Sequence, residues 1–505
     1  MVKLLKFCMA LVAAYGALFV FADFHDIPCN DVRDFAVLSL QFMAIETGVL
    51  GLMCLISADK YVFSALFPPL TLLCTVLAYF RYTANATLNA ITLDLTLTND
   101  LATSMDTVSW QLVALCLLSV AASVWIARYR CRHIRFAGKA VNKALWLVVS
   151  AVLMVAPVSY GRTSNAVGTR IPFTLYTSVA GYLESRREVA AERPDFKGKA
   201  VCGSDSVTVV FVLGESLRAA NLQVNGYPRA TTPLLCKEEN VVSLPNVYTD
   251  YTLTHLSIPH IMTRSDEQNP DRAYTERSFV SLLKQAGYRT SWITNQEQVS
   301  TFAYFMNECD TLVYVNGEKS SYNLEKWLDG DMLPHYGREL GRPGARKFVL
   351  LHCIGSHWWY NSHYPDSMER FKPVIRSRVI SANTAEEMRN SYDNTIVYSD
   401  YVWHGLINRL RGTNAVLVYL SDHAESLGED GYFVHGTDRP EVRRPACFVW
   451  YSDGFARRYP SKVAALKANK DRRWKSYMLF HSILDAADVS SGYIDRRLDI
   501  FAPQG

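Results

Sequence analysis

Residues Tyr419–Gly436 read YLSDHAESLGEDGYFVHG. The stretch closes an apolar run, Ala415–Leu420, and then presents Asp422, His423, Glu425 and His435 within one short loop. Two earlier segments have the same form. Val207–Leu213 (VTVVFVL) runs into Gly214-Glu215-Ser216, and Phe348–Leu351 runs into His352, with His357 shortly after. Each run has the length of a strand, and two of the three are rich in valine. Helix-like stretches such as Arg277–Ala286 and Ser391–Leu410 separate them. Alternation of this kind predicts a largely parallel sheet with helices on both faces, and such sheets bind ligands beyond the carboxyl ends of their strands. The three runs bring Glu215, His352, His357, Asp422, His423, Glu425 and His435 to that edge. A mixed carboxylate and imidazole set suits zinc better than magnesium or calcium.

Upstream the composition changes. The chain has 505 residues, 52 Lys+Arg against 48 Asp+Glu, and 49% hydrophobic residues, which excludes collagen-like, disordered and small disulfide-scaffold classes. Up to about Gly161 it is dominated by uncharged apolar runs. Five are long enough for a bilayer, which needs about 20 apolar residues as helix: Leu4–Ala22, Phe35–Ser57, Tyr61–Phe80, Trp110–Ala127 and Ala144–Gly161. The first also reads as a cleaved signal peptide, because Lys3 and Lys6 precede it. Arg128, Arg130, Arg132, Arg135, Lys139 and Lys143 form an acid-free basic segment between the last two spans. Without those six bases the remainder is slightly acidic, so the charge gives no reason to expect a nucleic-acid partner.

The positive-inside rule puts the basic segment and the N-terminus in the cytoplasm and everything beyond Arg162 outside. The expected organisation is a five-helix transmembrane domain at 1–161, a linker at 162–206 and an outer α/β domain at 207–505. Within the linker, Ile171–Pro194 carries a helical pattern that suits an interfacial helix. Glu46 lies mid-span, where a carboxylate is either functional or packed in protonated form against a neighbour. Pro68 and Pro69 are expected to kink the third span.

These segments resemble the membrane-bound phosphoethanolamine transferases of the alkaline phosphatase/sulfatase superfamily. The resemblance covers the five-span front and the outer domain. It rests on GES-x-R and NGY-x-R-x-TTP at Gly214–Pro233, T-x-x-S-x-P at Thr254–Pro259 and LH-x-x-G-x-H at Leu351–His357. It also includes YDN at Tyr392–Asn394 and SDH-x-ES with HG at Ser421–Gly436. It implies an outer domain of the alkaline phosphatase/sulfatase type in which Glu215, Thr254, Asp422 and His423 hold one Zn2+. Thr254 would be the nucleophile, a role that the residues alone do not separate from Thr252. His357 and His435 would face the substrate phosphate or a second zinc, supported by His352 and Glu425.

The resemblance further implies phosphatidylethanolamine as donor and an envelope glycolipid, foremost lipid A phosphate, as acceptor. The enzyme would act as a monomer in the bacterial inner membrane, with its catalytic domain in the periplasm. Two other readings stay open: a glycerol-phosphate transferase of the lipoteichoic-acid-synthase type, and a non-enzymatic sensor that retains the fold. A sulfatase would need a C/S-x-P-x-R motif, which is absent.

The sequence departs from the family in places. Asp250–His260 contains no cysteine, and the outer domain has five: Cys202, Cys236, Cys309, Cys353 and Cys447. An odd number leaves at least one unpaired, and a Cys202–Cys236 bridge is one pairing open to the rest. Ala424 stands where the family usually has Gly. Asn99 and Thr103 resemble a substrate-contact pattern, with Thr107 where an acid is expected.

Overall fold

The computed structural model describes residues 1–504 except 85–86, 99–108, 137–139, 161–162, 191, 297–299, 320–324, 378–379 and 437. Asn99, Thr103, Thr107, Lys139 and the expected boundary at 161–162 lie outside the described residues. The chain divides into two compact units. The first comprises Met1–Glu184, Glu318–Glu325 and Ser377–Ala382; the second comprises Ser185–Gly317, Lys326–Arg376 and Asn383–Gly505. The expected linker at 162–206 is shared between them.

Among the described residues of the first unit, five helical spans are long and apolar enough to cross a membrane, the first running over Val2–Asp23; they are built on α1 (Val2–Leu18), α2 (Val32–Ser57), α3 (Lys60–Ala84), α4 (Trp110–His133) and α5 (Ala140–Ser159). Asp31 caps α2 by accepting from Asp34 N at 2.7 Å, and Ser109 caps α4 by accepting from Leu112 N at 3.2 Å. These bonds satisfy amides that helix geometry leaves unpaired. The α2–α5 contact requires a glycine, since a Cβ on Gly51 would stand 2.3 Å from Met154 N. Glu46 on α2 lies against Gly16 of α1, its carboxyl 2.9 Å from where a Cβ would be, and its Oε1 is buried without a hydrogen bond. Helix α3 continues through Pro68 and Pro69. The predicted interfacial segment forms α6 (Thr174–Ala190).

The second unit is built on a seven-stranded sheet. In chain order its strands are β1 (Val207–Gly214), β2 (Val241–Ser243), β3 (Arg289–Thr294), β4 (Thr311–Tyr314), β5 (Arg346–His352), β6 (Ala415–Ser421) and β7 (Cys447–Tyr451). Their order across the sheet is β2-β7-β6-β1-β5-β3-β4. The five strands from β6 to β4 run parallel; β7 pairs antiparallel with β6, and β2 antiparallel with β7. The three predicted runs are therefore the three central strands. They are apolar along their length because a central parallel strand is buried on both faces. Register sets their ends together: Gly214 pairs with Ser421, and Leu213 with His352.

Two helices differ from their predicted bounds. Helix α8 (Phe279–Gln285) starts after its Ser278 cap, and α9 (Ala385–Asn408) starts six residues earlier than Ser391. A capping box between Thr384 and Glu387 begins α9 in a polar stretch. All eleven cysteines are free, Cys202 and Cys236 among them.

Candidate metal centre

Strand β1 ends at Gly214, where a Cβ would stand 2.0 Å from Tyr419 Oη, so the chain can turn there only as glycine. Glu215 follows. Ser216 then adopts a left-handed backbone (φ 59), a conformation that non-glycine residues rarely hold without a functional reason. That turn makes Ser216 a bridge between two acids. Its Oγ donates to Glu215 Oε1 at 2.6 Å, and its backbone N donates to Asp422 Oδ1 at 3.1 Å. Asp422 stands just beyond the end of β6 and also accepts from His423 N at 2.8 Å.

Thr254 opens helix α7 (Thr254–Met262). Its Oγ1 donates to Glu215 Oε2 at 3.1 Å and lies 3.3 Å from His423 Nε2. One turn on, Ser257 Oγ donates to the Asp422 carbonyl at 2.6 Å, so the T-x-x-S spacing ties helix and loop together. Glu215, Asp422 and His423 are fully buried, whereas Thr254 is partly exposed and can meet a substrate.

His423 Nδ1 faces the carbonyl of Ala424 at 3.1 Å, which assigns the ring proton to Nδ1. The Nε2 lone pair then points at Glu215 Oε1 (3.5 Å) and Asp422 Oδ2 (3.3 Å). Asp422 Oδ2 is buried and accepts no hydrogen bond. Burial and the neighbouring Asp422 charge push the Glu215 carboxyl well above its ordinary range. Burial likewise raises Asp422 and drives His423 well below the usual imidazole value. Electron pairs crowded in this way, without protons between them, fit a bound cation. Ligand atoms of Glu215, Asp422 and His423 lie within 4.8 Å of one another.

The other histidines separate into two groups. The His435 ring lies 4.3 Å from the His423 ring and 6.1 Å from the His357 ring, tilted against both. Burial disfavours its charge, but its bond to Glu425 and the acids Glu215 and Asp422 outweigh this and lift it to about 9. His357 donates to the Trp358 carbonyl at 2.6 Å and is lowered to about 4 by burial and by His435. Glu425 accepts from His435 Nδ1 at 2.9 Å and from the Tyr360 hydroxyl. His352 stands apart. Its ring packs against Trp292 (5.9 Å) and Phe302 (5.4 Å), and burial lowers it to about 3.

Several motif residues hold the frame instead of the chemistry. Arg229 donates to Asp393 at 2.6 Å and to Asn390 at 2.6 Å, Tyr227 donates to Asp393, and Asn221 reaches the same carboxylate. Tyr392 Oη donates to the Ser216 carbonyl at 2.6 Å and supports the strained turn directly. Gln296, whose amide reaches Glu215, was not anticipated. The one cue to it in the sequence is its place two residues after the strand RTSWIT.

Residues 207–489 match the family model described as Sulfatase. The chain belongs to the sulfatase family. Within it, the phosphoethanolamine transferase EptC of Escherichia coli O18:K1:H7 (strain RS218 / NMEC) is 29% identical over 320 residues, covering 60% of this chain and 54% of that protein. This chain thus spans about half the length of that curated relative. The Kdo(2)-lipid A phosphoethanolamine 7''-transferase of Escherichia coli K12 is 27% identical over 423 residues, covering 75% of this chain and 73% of that protein. The crystal structure of the C-terminal periplasmic domain of EcEptC from Escherichia coli, in complex with Zn, aligns with a TM-score of 0.56 at 27% identity. That alignment covers 62% of this chain and 91% of the solved one. The resemblance to phosphoethanolamine transferases seen in the motifs is borne out by these sulfatase-family relatives.

Proposed function

We propose that the protein transfers phosphoethanolamine from phosphatidylethanolamine to an envelope glycolipid, foremost lipid A phosphate, through Thr254. The observation that carries this reading is the placement of Thr254 Oγ1 between Glu215 Oε2 and His423 Nε2 in a buried acid–imidazole group. Glu215, Thr254, Asp422 and His423 would hold one Zn2+, whose role when bound is to make a threonine hydroxyl nucleophilic near neutral pH. His357 and His435 would face the substrate phosphate or a second zinc. In the first of these roles a His435 ring carrying its proton, held by Glu425, would offset the negative charge of the phosphoryl group in transfer. The relatives support the donor group and the lipid A acceptor by name, and the solved EptC domain supports a periplasmic location. The five apolar helices would then sit in the inner membrane.

In the first half-reaction a bond forms between Thr254 Oγ1 and phosphorus while the bond to the diacylglycerol oxygen breaks. The threonine proton ends on diacylglycerol, which leaves. In the second, an acceptor oxygen bonds to the same phosphorus, the bond from phosphorus to Thr254 Oγ1 breaks, and the proton from the acceptor hydroxyl restores the threonine hydroxyl. Division into two steps lets one centre serve a lipid donor and a bulky acceptor in turn. The test is to incubate full-length protein with donor alone and map the modified peptides. A phosphoethanolamine mass on the peptide containing Thr254, lost in Thr254→Ala and partly kept in Thr254→Ser, is expected. Undiminished diacylglycerol release by Thr254→Ala overturns the scheme.

A further inference from the structure

Gln296 follows β3 and is buried, 9% exposed. Its Nε2 lies 2.8 Å from the carbonyl of Cys353, which can only accept. The atom facing that carbonyl is therefore the amide nitrogen, and its second proton is directed to Glu215 Oε2 at 3.1 Å. Both protons are used, so the side chain is fixed in one orientation. Gln296 thereby connects three strand ends: its own after β3, Cys353 after β5 and Glu215 after β1.

The two oxygens of Glu215 are held from different sides. Oε1 accepts from Ser216 Oγ, and Oε2 accepts from Thr254 Oγ1 and Gln296 Nε2. The Thr254 donor is temporary, because nucleophilic attack requires that hydroxyl to give up its proton. Among the described residues, Gln296 is the donor then left on Oε2. We infer that Gln296 is a positioning residue that fixes the rotation of the Glu215 carboxylate, and with it the affinity of the centre for zinc. Partners of this kind orient metal ligands, and their loss typically costs 10- to 100-fold in affinity. The inference rests on the reading of Glu215 as a metal ligand given above.

The experiment measures zinc dissociation from the full-length protein by chelator competition, comparing wild type with Gln296→Leu. The expected result is a roughly 10- to 100-fold weaker zinc affinity, with transfer activity recovered in part by excess zinc. A defect of packing alone would not respond to added metal. Gln296→Met, unbranched and closer in shape, carries the same reading where the leucine variant does not fold. Wild-type affinity in the folded variants overturns the inference alone. Absence of zinc binding by the wild type overturns the metal reading and this inference together.

Discussion

His435 Nδ1 and Glu425 Oε1 are 2.9 Å apart, and Glu425 is fully buried. The acid therefore serves the imidazole and not the solvent. Its other oxygen accepts from Tyr360, so the carboxylate is held in place to orient the His435 ring. Glu425→Gln keeps the shape and removes the charge. A fall in kcat of about tenfold to hundredfold, with zinc content unchanged, is the expected outcome. Steady-state kinetics beside metal analysis of the same preparation checks it.

The acid–imidazole group predicts at least one zinc per chain. Asp422→Ala or His423→Ala should bring the zinc content of purified protein close to zero, and chelation of the wild type should abolish transfer. Elemental analysis before and after chelation reads both effects. Active wild-type protein without metal would contradict the proposed centre.

Arg229 pairs with a carboxylate that is wholly buried, while the arginine itself is 27% exposed. Arg229→Met keeps much of the packing against Phe371 and leaves Asp393 with its two neutral donors. A loss of about 2 kcal/mol in unfolding free energy is expected, the usual size for a hydrogen bond to a charged group. Zinc affinity should be retained, because the pair braces the loop without touching the ligands. Denaturant midpoints of the full-length chain measure the change.

Glu308 gives a pH dependence remote from the metal centre. Burial pushes its carboxyl up to about 7 from an ordinary 4.5, against the hydrogen bonds from Ser278 and the charges of Arg277 and Arg193. The folded state thus binds the extra proton between those values. Its contribution to stability is complete below about 4.5 and is lost as the pH rises through about 7. Glu308→Gln should flatten that slope and raise the melting temperature at pH 8 relative to wild type, with little difference at acid pH. Thermal scans at several pH values test the sign.

The central sheet was legible because β1, β5 and β6 bury side chains on both faces and each ends on metal-capable residues. Strand β3 was not. Its sequence RTSWIT carries polar side chains whose burial becomes tolerable only through distant partners: Thr290 donates to Asp310, and Ser291 to Glu339. No local pattern announces such pairings. His352 shows what a strand-end position leaves unsaid: its metal-capable ring packs against Trp292 and Phe302, neighbours that no local pattern announces. Thr254 and Thr252 are not separated by the residues alone; the family resemblance points to Thr254, and the structure sets its hydroxyl, at the start of α7, beside Glu215 and His423.

The register that sets Gly214 opposite Ser421 has a consequence for biogenesis. Ser216 and Asp422, bonded in the finished centre, are 206 residues apart in sequence, and closing so long a loop is slow compared with forming a helix. An emerging chain that has made Glu215 and Thr254 still lacks Asp422 and His423, so it carries two of the four proposed zinc ligands. Capture of zinc at the proposed centre would therefore report that β6 has joined β1. A nascent chain halted before Ser421 would leave that centre half built, whatever the local supply.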